Sequence, residues 1–225
     1  MFKFLISQRI VKDAHGTMVD MLERAYTDYF ERFGIVLYPV SNFLKEIQNY
    51  LGEVKYNGLI LSGGGDINPQ LYKMSKGLPP CNYFPERDKT ENFLIEKMIS
   101  LKLPILGICH GAQLLNCFFN GRITQNIHKD DLPYRNPNVN HYINIVKPVF
   151  DLSGRFYVNH FHNNGIKEGQ VADCFDIFAI DSEFDVVEGI IHKDLPIIGI
   201  QWHPERMSFN ETLNRSLIKN FLLKG

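Results

Sequence analysis

Along the first half of the chain, short apolar runs alternate with amphipathic stretches. Residues 3–10 and 58–61 read as strands, as does Leu103 to Ile108. Between them, Met18, Met21, Leu22, Ala25, Tyr29 and Phe33 recur at helical spacing, which predicts a helix from Met18 to Phe33 closed by Gly34. Ile35 to Tyr38 reads as a short strand ended by Pro39, residues 41–51 as a helix with Ser41 as its N-cap, and Thr90 to Leu101 as a further helix. Strands alternating with helices build βαβ units and a parallel sheet with right-handed crossovers. The second half changes pattern. Residues 139–150, 155–159, 174–181, 185–192 and 196–200 read as strands with few helices between them, followed by an amphipathic helix over about 210–222. The expectation is one α/β domain over 1–225, with a mostly parallel sheet flanked by helices and an antiparallel-rich second half. No internal repeat, low-complexity tract or linker interrupts it.

The 225 residues are 44% hydrophobic with a formal net charge of −1, the balance of a globular protein rather than of a nucleic-acid or membrane-surface binder. No apolar run approaches the roughly 20 residues that span a bilayer. The N-terminal strand runs straight into Gln8-Arg9 without a small-residue cleavage site, which argues against a leader. Cys81, Cys109, Cys117 and Cys174 lie far apart with no CxxC pair, which favours a reducing, cytoplasmic setting.

Three segments carry candidate chemistry. In Leu106-Gly107-Ile108-Cys109-His110-Gly111, a buried strand ends and a helix begins around a thiol, with glycines two residues to either side. That is the pattern of a strained strand-to-helix turn that presents a nucleophile above the sheet. A helix N-terminus favours the thiolate. The competing reading is a small, inert buried cysteine. The strand 197–200 ends in Gln201-Trp202-His203-Pro204-Glu205, which offers an imidazole for the thiol proton and a carboxylate to orient it. Ser62-Gly63-Gly64-Gly65-Asp66, after the strand 58–61, can aim the amides of Gly64 or Gly65 at a developing oxyanion, joined by the amide of His110. The alternative is a flexible turn or a phosphate cradle, but the Lys-Ser/Thr that completes a P-loop is missing.

The GGGD loop, GICHGAQ and QWHPE, in this order, resemble class I glutamine amidotransferase domains. More narrowly, Gly63 to Pro69, Glu86-Arg87-Asp88-Lys89-Thr90-Glu91 and Val158-Asn159-His160-Phe161-His162 are similar to the γ-glutamyl hydrolase branch, peptidase family C26, over about residues 55–207. The resemblance implies a flavodoxin-like fold with Cys109, His203 and Glu205 as a triad. It places the oxyanion hole at Gly64 or Gly65 and His110, and gives Gln113 a contact with the glutamyl part of the substrate. It makes Arg87 part of the substrate-site wall, against the simpler reading of a surface ion pair. A substrate-wall or structural role is expected for His160 and His162, with zinc the lesser alternative because no Cys or acid lies at a ligand-like spacing. No metal or cofactor is implied. This chain departs from the family in carrying His162-Asn163-Asn164 where many relatives have His-Gln, and His110 where Arg or Leu is commoner.

The implied reaction is transfer of a γ-glutamyl group from an amide to Cys109 and then to water. A free-standing hydrolase of a small γ-glutamyl substrate is expected, with γ-glutamyl-aminobutyrate, a folate polyglutamate or a γ-glutamylated nucleotide phosphoramidate as candidates. The last, a γ-glutamyl-CDP-amidate of the kind processed in bacterial capsule modification, is the nearest in resemblance. Arg87, Lys89, Lys129 and Arg135 are the cations that could meet its phosphates. The alternatives are a glutaminase subunit that feeds ammonia to a separate synthetase, and a non-catalytic member of the fold. Residues 125–140, rich in Asn, Pro and charge, are a candidate lid.

Overall fold

The computed structural model describes residues 1–43, 47, 51, 55–73, 82–127, 140–181, 183–206 and 210–223. The helix expected over 41–51 lies mostly outside these residues, as do Cys81, Lys129, Arg135 and most of the candidate lid. In chain order the strands are β1 (Phe2–Ser7), β2 (Arg9–Lys12), β3 (Met18–Met21), β4 (Ile35–Val40), β5 (Gly58–Leu61), β6 (Ile105–Ile108), β7 (His141–Val149), β8 (Leu152–Val158), β9 (Ile166–Lys167), β10 (Phe175–Asp181), β11 (Val186–His192) and β12 (Ile197–Ile200). The helices are α1 (Arg24–Glu31), α2 (Pro85–Leu101), α3 (His110–Phe118) and α4 (Glu211–Leu217), the last continuing in a wider π-type turn over Ile218–Leu222.

One sheet organises the chain in the order β4-β1-β5-β6-β12-β11-β10-β7-β8, with β9 paired to β11. From β4 to β12 every pairing is parallel. From β12 to β8 every pairing is antiparallel. The parallel strands are apolar at nearly every position because both of their faces are covered. Phe4, Ile6, Ile60, Leu106, Ile108, Ile198 and Ile200 pack with Tyr26 and Phe30 of α1 and Leu213 and Leu217 of α4. Leu5, Leu59, Leu61, Ile105 and Ile197 point the other way, onto Leu94, Ile95 and Met98 of α2 and Leu114 and Leu115 of α3. The period-2 alternation of side chains thus feeds two cores from one set of strands.

The structure corrects the N-terminal reading. The expected strand over 3–10 is divided: β1 ends at Ser7, and β2 pairs antiparallel with β3 in a separate hairpin. The helix therefore starts at Arg24, not Met18. The physical cause is the turn between β2 and β3, where Asp13 Oδ1 accepts the amides of His15 and Thr17, each at 2.8 Å, and Gly16 takes φ of 82°. The hairpin is fastened to the sheet by Asp20, whose carboxylate accepts the Ser41 hydroxyl at 2.7 Å and the Asn42 side-chain amide at 2.6 Å.

Candidate active site

Three parallel-strand ends, those of β5, β6 and β12, converge on one cavity of about 230 Å³, lined by Gly64, Gly65, Cys109, His110, Gln113 and His203 among others. β6 delivers Cys109, which sits at φ 52°, ψ −103°, a backbone conformation that non-glycine residues adopt only when their surroundings impose it. What imposes it is contact. A Cβ on Gly107 would lie 2.6 Å from the backbone of Gly111, and one on Gly111 would lie 2.4 Å from the Leu61 carbonyl. Both glycines are what let α3 begin directly against β5 and β6.

β12 delivers His203. Its amide donates to Asn159 Oδ1 at 2.8 Å, and its carbonyl accepts from Asn159 Nδ2 at 2.7 Å, so one side chain grips the histidine's main chain from both sides. Nδ1 of His203 lies 2.6 Å from Glu205 Oε1, and the imidazole and the Cys109 thiol line the same cavity. Gly63 lies against both groups, since a Cβ there would be 2.6 Å from His203 Cε1 and 3.4 Å from Cys109 Cβ. Burial alone would lower the His203 pKa. The Glu205 carboxylate and the Cys109 sulfur outweigh it and hold the imidazolium proton up to about 10.

The glycine loop after β5 is fixed from two directions. The Gly63 amide donates to the Tyr26 hydroxyl at 2.8 Å, and the Asp66 amide to the Asn82 carbonyl at 2.9 Å. Gly64 and Gly65, between them, line the cavity at φ 89° and 75°. Their carbonyls turn inward: Arg87 donates to the oxygens of Gly64 and Ser62, and His110 Nδ1 lies 3.2 Å from the Gly65 oxygen. Beneath them Glu91 accepts from Arg87 Nε at 3.0 Å and faces His110 Nε2 at 3.0 Å. Although its burial would raise the Glu91 pKa, Arg87 and His110 hold the carboxyl down to about 2.

Two residues named as substrate-site candidates stand behind the cavity wall. Arg87 is buried behind the glycine loop, not in the cavity wall, because its guanidinium is committed to the loop carbonyls and Glu91. His160 also lies behind the wall, its ring 4.1 Å from that of His162 and 5.3 Å from that of His141. His162 does line the cavity, with Nδ1 2.9 Å from the Asn164 oxygen and Nε2 3.5 Å from Glu188 Oε1. Glu188 is shared with His141 at 3.3 Å, and despite its burial the two imidazoles hold its carboxyl well below the usual range. Among the described residues, no group of three or more His, Cys, Asp or Glu side chains is arranged to hold a metal ion. Gln113 lines the cavity with its amide nitrogen occupied by the Asn164 oxygen at 2.8 Å and Gln201 Oε1 at 3.1 Å. Lys89 is exposed on α2 and does not reach the cavity.

Sequence reasoning missed several participants. The Tyr26 hydroxyl accepts the Gly63 amide, and burial together with the nearby Glu205 charge pushes its phenol well above the ordinary range. Asn159 holds the main chain of His203, and Glu91 braces the glycine loop. The one local hint was the i, i+4 spacing of Arg87 and Glu91 at the start of a helix.

An α/β sheet of this order, with a strained cysteine at one strand end and a His-x-Glu pair at the next, has the class I glutamine amidotransferase fold. The glutamine amidotransferase of Thermotoga maritima superposes on 98% of the chain and 82% of its own, with a TM-score of 0.60 at 16% identity. The chain belongs to the peptidase C26 family, whose model matches residues 5–205. It is 29% identical over 218 residues to YvdE of Lactococcus lactis, a glutamine amidotransferase-like protein, covering 90% of this chain and 88% of that one. It is 32% identical over 151 residues to the gamma-glutamyl-CDP-amidate hydrolase of Campylobacter jejuni, covering 66% of this chain and 62% of that one. The family and these relatives identify an enzyme of the glutamine amidotransferase-like hydrolases. No described helix is long and apolar enough to cross a membrane.

Proposed function

We propose that the chain is a γ-glutamyl hydrolase that works without a synthetase partner, with Cys109 as nucleophile, His203 as acid and base, and Glu205 as the group that orients His203. The observation that carries this reading is the meeting of Cys109, His203 and Glu205 at one cavity, with Nδ1 of His203 2.6 Å from Glu205 and Gly63 packed against both the imidazole and the thiol-bearing side chain. With His203 protonated, the sulfur attacks the δ-carbonyl of a γ-glutamyl amide. The Gly64 or Gly65 amide and the His110 amide, which at the first position of α3 has no acceptor within the helix, receive the oxyanion. His203 then gives its proton to the leaving nitrogen, and the C–N bond breaks. In the second half, His203 takes a proton from water, which attacks the thioester carbonyl and releases glutamate and the free thiol. The likeness to gamma-glutamyl-CDP-amidate hydrolase favours a phosphoramidate as the leaving nitrogen.

The test is glutamate release by the purified chain from glutamine, γ-glutamyl-aminobutyrate, a folate diglutamate and γ-glutamyl-CDP-amidate. Fast release from one γ-glutamyl substrate and slow release from glutamine is the expected result. Release from glutamine alone, rising when a synthetase is added, would replace the hydrolase by a glutaminase subunit. Cys109→Ala should lower turnover by at least about a thousandfold while leaving the unfolding midpoint near that of the wild type. Retained hydrolysis would remove the nucleophile assignment.

A further inference from the structure

The mouth of the cavity carries two arginines that the reaction above does not use. Arg9 comes from β2 and lies across the glycine loop, so that a Cβ on Gly64 would be 2.9 Å from Arg9 Cδ. Arg206 follows the His203–Glu205 turn, and its guanidinium stacks on the ring of Phe161 at 4.5 Å. Phe161 in turn meets the His203 ring edge to face at 5.7 Å. Both arginines line the cavity that holds Cys109. They reach it from opposite ends of the sequence and share one counter-ion. Glu23 Oε1 lies 3.2 Å from Arg9 Nη1, while both Glu23 oxygens lie 3.0 and 3.1 Å from Arg206 Nη2.

Among the described residues, Glu23 is the carboxylate that bridges the two guanidiniums. The acid that lines the cavity, Asp66, has both oxygens engaged, by the Asn164 side chain and the Asn82 amide. Arg206 Nε is also 3.9 Å from Glu205, a carboxylate already committed to His203. Arg9 Nε, moreover, is buried and has no acceptor among the described residues. A buried donor left unpaired is a cost to the free protein that an anionic ligand can offset. Stacking on Phe161 occupies one face of the Arg206 guanidinium and leaves its edge donors directed in the ring plane, the geometry in which guanidinium recognises carboxylate or phosphate.

We propose that Arg9 and Arg206, spaced by Glu23, form a clamp for an anionic oxygen group of the substrate, so that the enzyme selects γ-glutamyl compounds by charge at the cavity mouth. The anion has two possible sources, a phosphate on the leaving group or the α-carboxylate of the γ-glutamyl group. The clamp takes the role that sequence reading gave to Arg87, Lys89, Lys129 and Arg135, and it rests on the reading of Cys109 as the reacting thiol.

Two measurements test it and separate its failure from that of the hydrolase reading. The first needs no substrate: alkylation of Cys109 by anionic iodoacetate and by neutral iodoacetamide, followed by mass spectrometry, in the wild type, Arg9→Gln, Arg206→Gln and the double variant. The iodoacetate-to-iodoacetamide rate ratio should fall about tenfold in the double variant and less in Arg9→Lys. Misfolding would change both rates together, so the ratio isolates charge. An unchanged ratio overturns the clamp, whatever the enzyme hydrolyses. The second measurement compares the Arg→Gln losses in kcat/KM on γ-glutamyl-CDP-amidate and on glutamine. A loss at least about tenfold greater on the phosphate-bearing substrate assigns the clamp to the leaving group. Equal losses on both assign it to the α-carboxylate. Absence of wild-type glutamate release from every substrate would overturn the hydrolase reading and leave the clamp to the alkylation ratio.

Discussion

His203 brings two opposed effects into one side chain: burial favours the neutral ring, while Glu205 and the Cys109 sulfur favour the imidazolium, which wins up to a pKa of about 10. Because the folded value lies above the ordinary 6.5, the pair stabilises the protein fully below pH 6.5 and ceases to do so as pH rises through about 10. In the proposed reaction the same proton serves the leaving group, so the alkaline fall in kcat should belong to His203. Glu205→Gln removes the strongest influence that raises this pKa, and the alkaline limb should move toward neutral pH while kcat drops by about ten- to a hundredfold. A pH profile of kcat from 5 to about 10.5 in both proteins reads this directly. An unmoved limb would mean that Glu205 does not set the histidine's proton affinity. That Cys109, His203 and Glu205 are candidates for one site was legible in the sequence, because each stands at a strand end beside residues with local meaning, Gly107 and Gly111 or Pro204. The placement of Tyr26, Asn159, Arg9 and Arg206 at the site was not, since each is held there by a partner distant in the chain.

At the level of elements, the turn from β6 into α3 depends on absent atoms. Gly111→Ala would drive a Cβ to 2.4 Å from a backbone oxygen of β5, which cannot move without shifting the sheet. The expected outcome is a loss of about 1–3 kcal/mol in urea denaturation, together with a fall in kcat as α3 and the His110 amide withdraw from the glycine loop. Stability unchanged within error would show that the close approach is not tight. This turn was legible from two glycines and a thiol. The β2–β3 hairpin was not, because Met18, Met21 and Leu22 fit a helical stripe equally well, and four-residue strands are too short for periodicity to decide. What decided it was turn chemistry at Asp13 and Gly16, then tertiary fastening of Asp20 to Ser41 and Asn42. The consequence matters for the site, since that hairpin is what carries Arg9 to the cavity.

Across the whole molecule, the parallel half of the sheet supplies the glycine loop and the thiol, and the strand at the boundary with the antiparallel half supplies the imidazole. The two cores leave a polar layer under the site, where Arg87, Glu91 and His110 are buried together. A buried ion pair is weak evidence for net stability, but removing one partner strands the others. Glu91→Gln leaves the Arg87 and His110 donors facing a neutral amide and should cost about 3–5 kcal/mol near neutral pH. The pH dependence identifies the cause. The Glu91 carboxyl titrates at about 2 in the fold against 4.5 ordinarily, so the stability it supplies is present above pH 4.5 and is lost as pH falls toward 2. Wild type and Glu91→Gln should therefore differ most above pH 4.5 and converge below it, because the protonated acid then resembles the amide. Denaturant unfolding of both proteins from pH 7 down to about 2.5 measures the difference. A gap that stays constant over that range would mean that shape, not charge, holds the glycine loop in place.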